Sequence, residues 1–491
     1  MSEPPDAPRV VRSARPRGNR ALLIISALCL AVGAAAMGFA FITGRSEELP
    51  SPQSADEPAP GTPVLSARRV PAFTTAPIPL RALAAAVQPF ADAAPPESCI
   101  SVGDGSRAIY SHNASAGLVP ASNQKLITAS AALDLIGADE TLKTDFRTVG
   151  KPDGGVIEGD LFMVGGGDPL LMTDAYQDIQ THGRLPESNL EAIADQLVGA
   201  GVRRVTGSVV GDGSRYDSER VVEGWPSRWL TNGTVAPLSA LSVNDGWLID
   251  PVTGEGEGGA TADPSLHAAA VMTRLLTDRG VVIDGAPRSG EAPADTESLL
   301  AVDSLPLSEI LEELLAFSDN TTAELLLKEM GVRSGAAGST ADGVAAVTAW
   351  ASDRGLPEGE WVMVDGSGLS DGNRVTCDLL GAVLRTNGAT GTIADALAVP
   401  GQGGTLSDRF EEGEWPQRLR AKTGSLNDVT SLSGWLTTRP GAALDFEIVL
   451  NTGDRRVGNS DLGLQEDILT ALLDQPVAPP LDAAGPRLPA A

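Results

Sequence analysis

The sequence predicts an α+β fold, helices around an antiparallel sheet with a β-rich segment inserted into it, and three observations carry that expectation. Segments 120–137 and 305–331 repeat apolar residues at three- and four-residue steps, as amphipathic helices do. Late in the chain, SLSGWLTT and LDFEIVLNT flank the turn-like RPGAA, the pattern of an antiparallel hairpin. Between them, residues 149–296 are punctuated by glycine and contain short apolar runs such as GVIEGDLFMVGGG and VRRVTGSVVGDGS.

Taken in order, 1–20 is an arginine-rich tail with Arg9, Arg12, Arg15, Arg17 and Arg20. Residues 21–43 are uncharged and mostly apolar; about 23 residues at about 1.5 Å each suffice for a bilayer core of about 30 Å. The arginines before this stretch, against Arg45, Glu47 and Glu48 after it, put the N-terminus in the cytoplasm and everything beyond residue 45 outside. A signal peptide would serve the same export, but its apolar core is usually shorter, so a retained single-pass transmembrane anchor in the cell membrane is expected, with secretion after cleavage as the alternative. Residues 44–76 are a Pro- and Ala-rich linker.

The globular part is expected over 77–148 and 297–475, split by the insertion 149–296, with 476–491 as a tail. A helix is expected near Leu80–Phe90, followed by strands from Cys99 into Val102 and around Arg107–Tyr110. Pro120 suits a helix entry and Gly137 its exit, with Leu126, Ala129, Leu133 and Ile136 forming one buried stripe. A helix is also expected near Asn189–Gly199, and another at Leu464–Leu473 closes the structured region.

A net charge of −28 repels phosphate backbones, so nucleic acid is not an expected partner. His112, His182 and His267 have no metal-ligand spacing, and the three cysteines form no CxxC, so no metal site is expected. Export permits disulfides. Cys99 and Cys377 are the one pair outside the apolar stretch; they either bridge or remain two buried thiols, since spacing alone cannot establish a bond.

Lysine is scarce: Lys125, Lys143, Lys151, Lys328 and Lys422. Two of these stand in short strings that carry chemistry. In Ser122-Asn123-Gln124-Lys125, helical spacing puts hydroxyl and amine on one face. A serine hydroxyl needs a base to become a nucleophile, and a lysine with a lowered pKa can be that base. Ser122 at a helix N-terminus also offers a backbone N–H to an oxyanion. Ser318-Asp319-Asn320 lies between two helical runs, where Ser318 can relay a proton and the Asn320 amide can bind a substrate carbonyl or hold Lys125. Lys422-Thr423-Gly424 enters a strand; Lys422 and Thr423 can hold a carboxylate, Gly424 lets a substrate backbone approach, and the N–H of Ser425 can complete the oxyanion hole. Each string alone arises by chance, but their joint order is specific.

With PASNQKLITASAAL, VGGGDPLL, VAPLSALSVNDG, FSDNTTAELLLKEMG and DGSGLSDGNRV beside them, the chain resembles the class C low-molecular-mass penicillin-binding proteins, D-alanyl-D-alanine carboxypeptidases/endopeptidases of peptidase family S13, over about residues 77–475. The resemblance implies a β-lactamase/transpeptidase-like fold, a five-stranded antiparallel sheet between helices with extra domains between the first two strings. It implies Ser122 as acylated nucleophile, Lys125 as its base and Ser318 as proton relay, with Asn320 orienting substrate and Lys422 and Thr423 binding its terminal carboxylate. Expected partners are peptidoglycan stem peptides ending in D-Ala-D-Ala, with β-lactams as covalent inhibitors, and no cofactor. The stretch between Ser122 and Ser318 is shorter than is usual in the family, implying a reduced insert. The alternatives are a β-lactamase, which needs a deacylating water, and an inactive wall-binding protein of the same fold.

Overall fold

The computed structural model describes residues 77–180, 185–256, 259–410 and 412–475. The expected anchor, linker and C-terminal tail lie outside them, as does His182. Among the described residues no helix is long and apolar enough to cross a membrane.

Five antiparallel strands form the central sheet, in the order Leu419–Ser425, Val429–Thr437, Ala443–Asn451, Glu97–Gly103 and Ala108–His112. The sheet therefore joins the start of the domain to its end, which fixes where the lysine string of the late strand can meet the early serine. Alternate residues of a strand face opposite ways. Ile100, Val102, Ile448 and Leu450 accordingly pack on one face with Leu83 and Val87 of helix Pro77–Ala93 and Leu469 and Leu472 of helix Asn459–Leu473. Cys99 and Val449 point the other way, into a core shared with helices Gln124–Leu135, Asn320–Arg333, Thr340–Asp353 and Cys377–Asn387. Cys99 and Cys377 are disulfide-bonded there, with Cα atoms 6.1 Å apart, tying the middle of the sheet to a helix 278 residues on.

Helix Gln124–Leu135 corrects the expectation of a single buried stripe: every residue from Gln124 to Ala132 is buried, Gln124, Lys125, Thr128 and Ser130 among them. It runs through the centre of the helical layer, where a polar side chain can find a partner only inside the protein. Ser130 does so by donating to Leu126 O, and Thr128 by donating to Gly366 O.

The insertion differs from the expectation in two ways. Strands Lys143–Thr148 and Glu297–Asp303, placed at the sequence level outside it, pair with each other and belong to its main sheet, in the order Arg288–Ser289, Val209–Asp212, Leu161–Val164, Lys143–Thr148, Glu297–Asp303. Its first three strands run parallel, as do Val156–Ile157, Arg204–Val205 and Val282–Ile283 in a second small sheet. Parallel neighbours need crossover connections, and helices Leu190–Gly199 and Pro264–Asp278 supply them, burying Ile193, Leu197, Met272 and Leu275 against Phe146, Leu161 and Val209. The segment is mixed α/β: the helix expected near Asn189–Gly199 is one of its two crossovers, and the second, Pro264–Asp278, was not expected. Helix Pro264–Asp278 had a readable start: Asp263 accepts from Leu266 N and Pro264 occupies the first turn.

Candidate active site

Ser122 stands in a single turn of 3-10 helix, Ala121–Asn123, that leads into helix Gln124–Leu135. The residue before it, Ala121, has φ +48°, a left-handed conformation that costs a non-glycine residue energy and persists where the surroundings enforce it. The surroundings here are the neighbouring strand Val429–Thr437, whose Ser431 donates to Pro120 O at 2.7 Å and whose Ser433 accepts from Asn123 Nδ2 at 2.7 Å. Residues on either side of the serine are thus pinned to the sheet.

Lys125 lies one turn on, fully buried, and donates three hydrogen bonds: to Ser122 Oγ at 3.0 Å, Asn320 Oδ1 at 2.7 Å and Ser367 O at 2.8 Å. Burial lowers its pKa to about 8, against the opposing pull of Asp319, Glu324 and Asp365. An ammonium loses hydration when buried, and only part of that loss is recovered from these carboxylates.

The loop holding Asn320 is built by two departures from regular helix. Helix Leu307–Glu312 widens into a π turn, Glu313–Phe317, and Ser318 ends it in the left-handed region at φ 66°. Asp319 then caps the next helix, accepting from Thr322 N. The result presents Ser318 and Asn320 at a helix junction, as the sequence suggested. Of the two roles open to the Asn320 amide, its oxygen is taken by Lys125, and its nitrogen donates to Thr234 O at 2.7 Å. That second bond fixes which end of the amide faces the lysine.

The third string lies on strand Leu419–Ser425, at the edge of the sheet. A Cβ added at Gly424 would sit 2.1 Å from Ser431 Oγ and 3.0 Å from both Pro120 O and Ser122 N, so only glycine lets this strand come so close to the serine turn. Lys422 is fully buried and donates to Thr423 O at 2.9 Å. Burial, and then the charge of Lys125, push its pKa well below the ordinary lysine value. Ser425 is the exposed last residue of the strand.

Sequence reasoning gave no role to the residues that support Lys125 from behind. Glu324, on the helix that begins at Asn320, accepts from Ser367 N at 2.8 Å and Gly366 N at 3.1 Å. Asp365 closes the same loop, accepting from Gly368 N, Ser370 N and Asn373 Nδ2 at 2.7–2.8 Å and from Trp225 Nε1 at 2.9 Å. Gly368, at φ +84°, would place a Cβ 1.9 Å from Ala121 O. The signal for this loop was DGSGLSDGNRV, quoted above for its resemblance alone.

Ser122, Lys125, Asn320 and Gly424 are therefore assembled from segments far apart in the chain, beside a buried second lysine. The sequence matches the D-Ala-D-Ala carboxypeptidase 3 (S13) family over residues 97–262 and 253–466. It is 30% identical over 441 residues to the D-alanyl-D-alanine carboxypeptidase of Actinomadura sp. (strain R39), covering 74% of this chain and 79% of that one. It is 32% identical over 345 residues to carboxypeptidase Rv3627c of Mycobacterium tuberculosis (strain ATCC 25618 / H37Rv), covering 68% and 71%. The fold is similar to that of penicillin-binding protein 4 from Haemophilus influenzae, with a TM-score of 0.67 at 21% identity over 79% of this chain and 99% of that one. On these grounds the chain belongs to the S13 family of D-Ala-D-Ala carboxypeptidases.

Proposed function

We propose that the protein is a serine-type D-Ala-D-Ala carboxypeptidase/endopeptidase that cleaves peptidoglycan stem peptides through an acyl-enzyme on Ser122 and is acylated by β-lactams at the same atom. The observation that carries this reading is the 3.0 Å contact between Ser122 Oγ and a buried Lys125 whose pKa is lowered to about 8. In its neutral form Lys125 takes the Ser122 proton as Oγ attacks the carbonyl of the penultimate D-Ala. The N–H groups of Ser122 and Ser425 receive the oxyanion. Ser318 passes a proton to the departing amine, while Lys422 and Thr423 hold the terminal carboxylate. Water then attacks the ester, and the serine recovers its proton. General-base assistance of this kind contributes about 10²–10⁴ in rate.

The β-lactamase alternative needs a carboxylate free to hold a deacylating water. Glu324 lies near Lys125, but both its oxygens already accept backbone N–H groups, which favours slow deacylation of penicillin. The apolar stretch 21–43 supports a single-pass anchor with this domain on the extracytoplasmic side.

Labelling with a fluorescent penicillin followed by peptide mapping tests the proposal. One adduct, on Ser122, is expected, and none in Ser122→Ala. An adduct on another residue, or undiminished labelling of the variant, refutes it.

A further inference from the structure

Behind the Ser318–Asn320 loop lies a cavity of about 250 Å³ whose wall includes Tyr176, Asp245, Glu313, Phe317, Asp319 and Asp408. Four of these are carboxylic acids, and no lysine or arginine lines it among the described residues. Two of the acids are incompletely bonded. Glu313 is 1% exposed; its Oε2 accepts from Thr322 Oγ1 at 2.7 Å, while Oε1 is buried without a partner. Asp245 accepts from the Tyr176 hydroxyl at 2.8 Å through Oδ2, and its Oδ1 is likewise buried without a partner.

An unsatisfied buried carboxylate oxygen is costly. Several around one cavity are costlier still, because each disfavours ionisation of the next. Burial, and then the charge of Asp319, push both Asp245 and Glu313 well above the ordinary carboxyl range. Protonation relieves that repulsion. A cation that donates several hydrogen bonds would relieve it as well and satisfy the open oxygens at the same time.

Position relative to the catalytic strand says which part of a substrate could reach it. With the oxyanion at Ser425 and the terminal carboxylate at Lys422 and Thr423, a bound peptide runs antiparallel to strand Leu419–Ser425, its leaving end directed toward Leu419. The cavity wall includes residues of the 404–408 loop and of the π turn, which are joined by a bond from Thr405 N to Ala316 O at 2.9 Å. Ala421, in the strand itself, is held by Ala398 O just before that loop. That loop therefore borders the strand on its Leu419 side, the side toward which the leaving end of the peptide is directed.

We propose that this acidic cavity is a leaving-group subsite for a D-configured diamino acid, taking the side-chain ammonium of a terminal residue that replaces D-Ala. The proposal rests on the Ser122 acyl-enzyme reading and adds no chemical step to it: the C–N bond broken and the proton delivered to the departing amine are the same.

The test uses the full-length protein and three synthetic peptides sharing a diacetyl-L-Lys-D-Ala acyl portion and ending in D-Lys, Nε-acetyl-D-Lys or D-norleucine. Release of the terminal residue gives kcat/KM for each. A preference for D-Lys over D-norleucine of about tenfold or more is expected, the scale of a hydrogen bond to a charged group, with the acetylated residue at or below D-norleucine. The preference is expected to vanish in Glu313→Gln and to weaken in Asp408→Asn, which alters an exposed wall residue and so spares the fold. Cleavage of the D-norleucine peptide and the rate of penicillin labelling should stay within about twofold in both variants. Equal rates for D-Lys and D-norleucine in the wild type, or a preference that survives both substitutions intact, overturns the subsite. Failure of penicillin to label Ser122 in the wild type would instead overturn the acyl-enzyme reading on which the subsite rests.

Discussion

Glu324 and Ser367 form the support on which Lys125 rests: the Glu324 carboxylate accepts from Ser367 N at 2.8 Å, and the carbonyl of the same Ser367 accepts from Lys125 Nζ at 2.8 Å. A buried acid thereby positions the lysine through a backbone loop, without touching it. The loop has a second clamp in Asp365, whose four hydrogen bonds leave it little freedom. Placement of the base thus depends on residues that do not face the substrate.

The pH dependence of acylation follows from the Lys125 amine. Only the neutral amine can take the Ser122 proton, and its pKa is lowered to about 8. The rate constant for penicillin acylation should therefore rise with pH and level off above about 8. A rate flat between pH 6 and 9, measured by stopped labelling, would remove lysine from the role of base.

Replacing Lys125 itself by methionine keeps the volume of the buried stem and deletes the base. Acylation should fall by about 10²–10⁴, and the unfolding midpoint should fall as well, since Asn320 Oδ1 and Ser367 O lose their buried donor. A variant that acylates at the wild-type rate would contradict the mechanism.

Glu324→Gln tests the support. The amide keeps one acceptor and turns a donor toward Gly366 N or Ser367 N, so one N–H loses its partner. We expect acylation to drop by about tenfold to a hundredfold, with the fall in kcat rather than KM. Burial pushes the Glu324 carboxyl itself up to about 8, so it ionises alongside Lys125; removing its charge, which raises the Lys125 pKa, should shift the upper part of the rising limb to lower pH. A merely structural role would leave that limb in place.

Gly368→Ala has no room to be tolerated. Its Cβ would meet Ala121 O at 1.9 Å, from a backbone conformation that disfavours side chains. Loss of more than about 2 kcal/mol in denaturant unfolding is expected, together with loss of penicillin labelling, since Ala121 precedes the serine. Wild-type stability in this variant would mean that the loop does not pack as described.

Breaking the Cys99–Cys377 bridge by a double substitution to alanine should cost about 2–5 kcal/mol, the usual worth of a native cross-link closing a long loop. Acylation at low temperature should persist, because Lys125 draws its hydrogen bonds from Ser122, Asn320 and Ser367 and not from either cysteine. Equilibrium unfolding with and without reductant measures the first effect and labelling the second.

Local patterns made much of the scaffold legible. The hairpin around RPGAA, the entry and exit of the helix after Ser122, and the break between the helices at Ser318 all follow from turn chemistry and periodicity, which act over a few residues. The insertion was harder to read. Its parallel strands are as short as two residues, too brief for an alternation to register, and their partners are distant in sequence. Helix Pro264–Asp278 went unassigned although Asp263 and Pro264 marked its start, and strands Lys143–Thr148 and Glu297–Asp303 were placed outside the insertion because nothing local says which sheet a strand joins.

The same division runs through the site. The amino-acid sequence by itself determined which groups could react, because a serine and a lysine three residues apart on a helix must lie on one face, and because few lysines were there to choose from. Tertiary structure alone decided that Lys125 is fully buried, that Asn320 turns its oxygen to it, and that Ser367 and Glu324 complete its surroundings. Burial and long-range hydrogen bonds depend on segments brought together from across the chain, and it is these, through the energy of an ammonium withdrawn from water, that set the lysine's basicity.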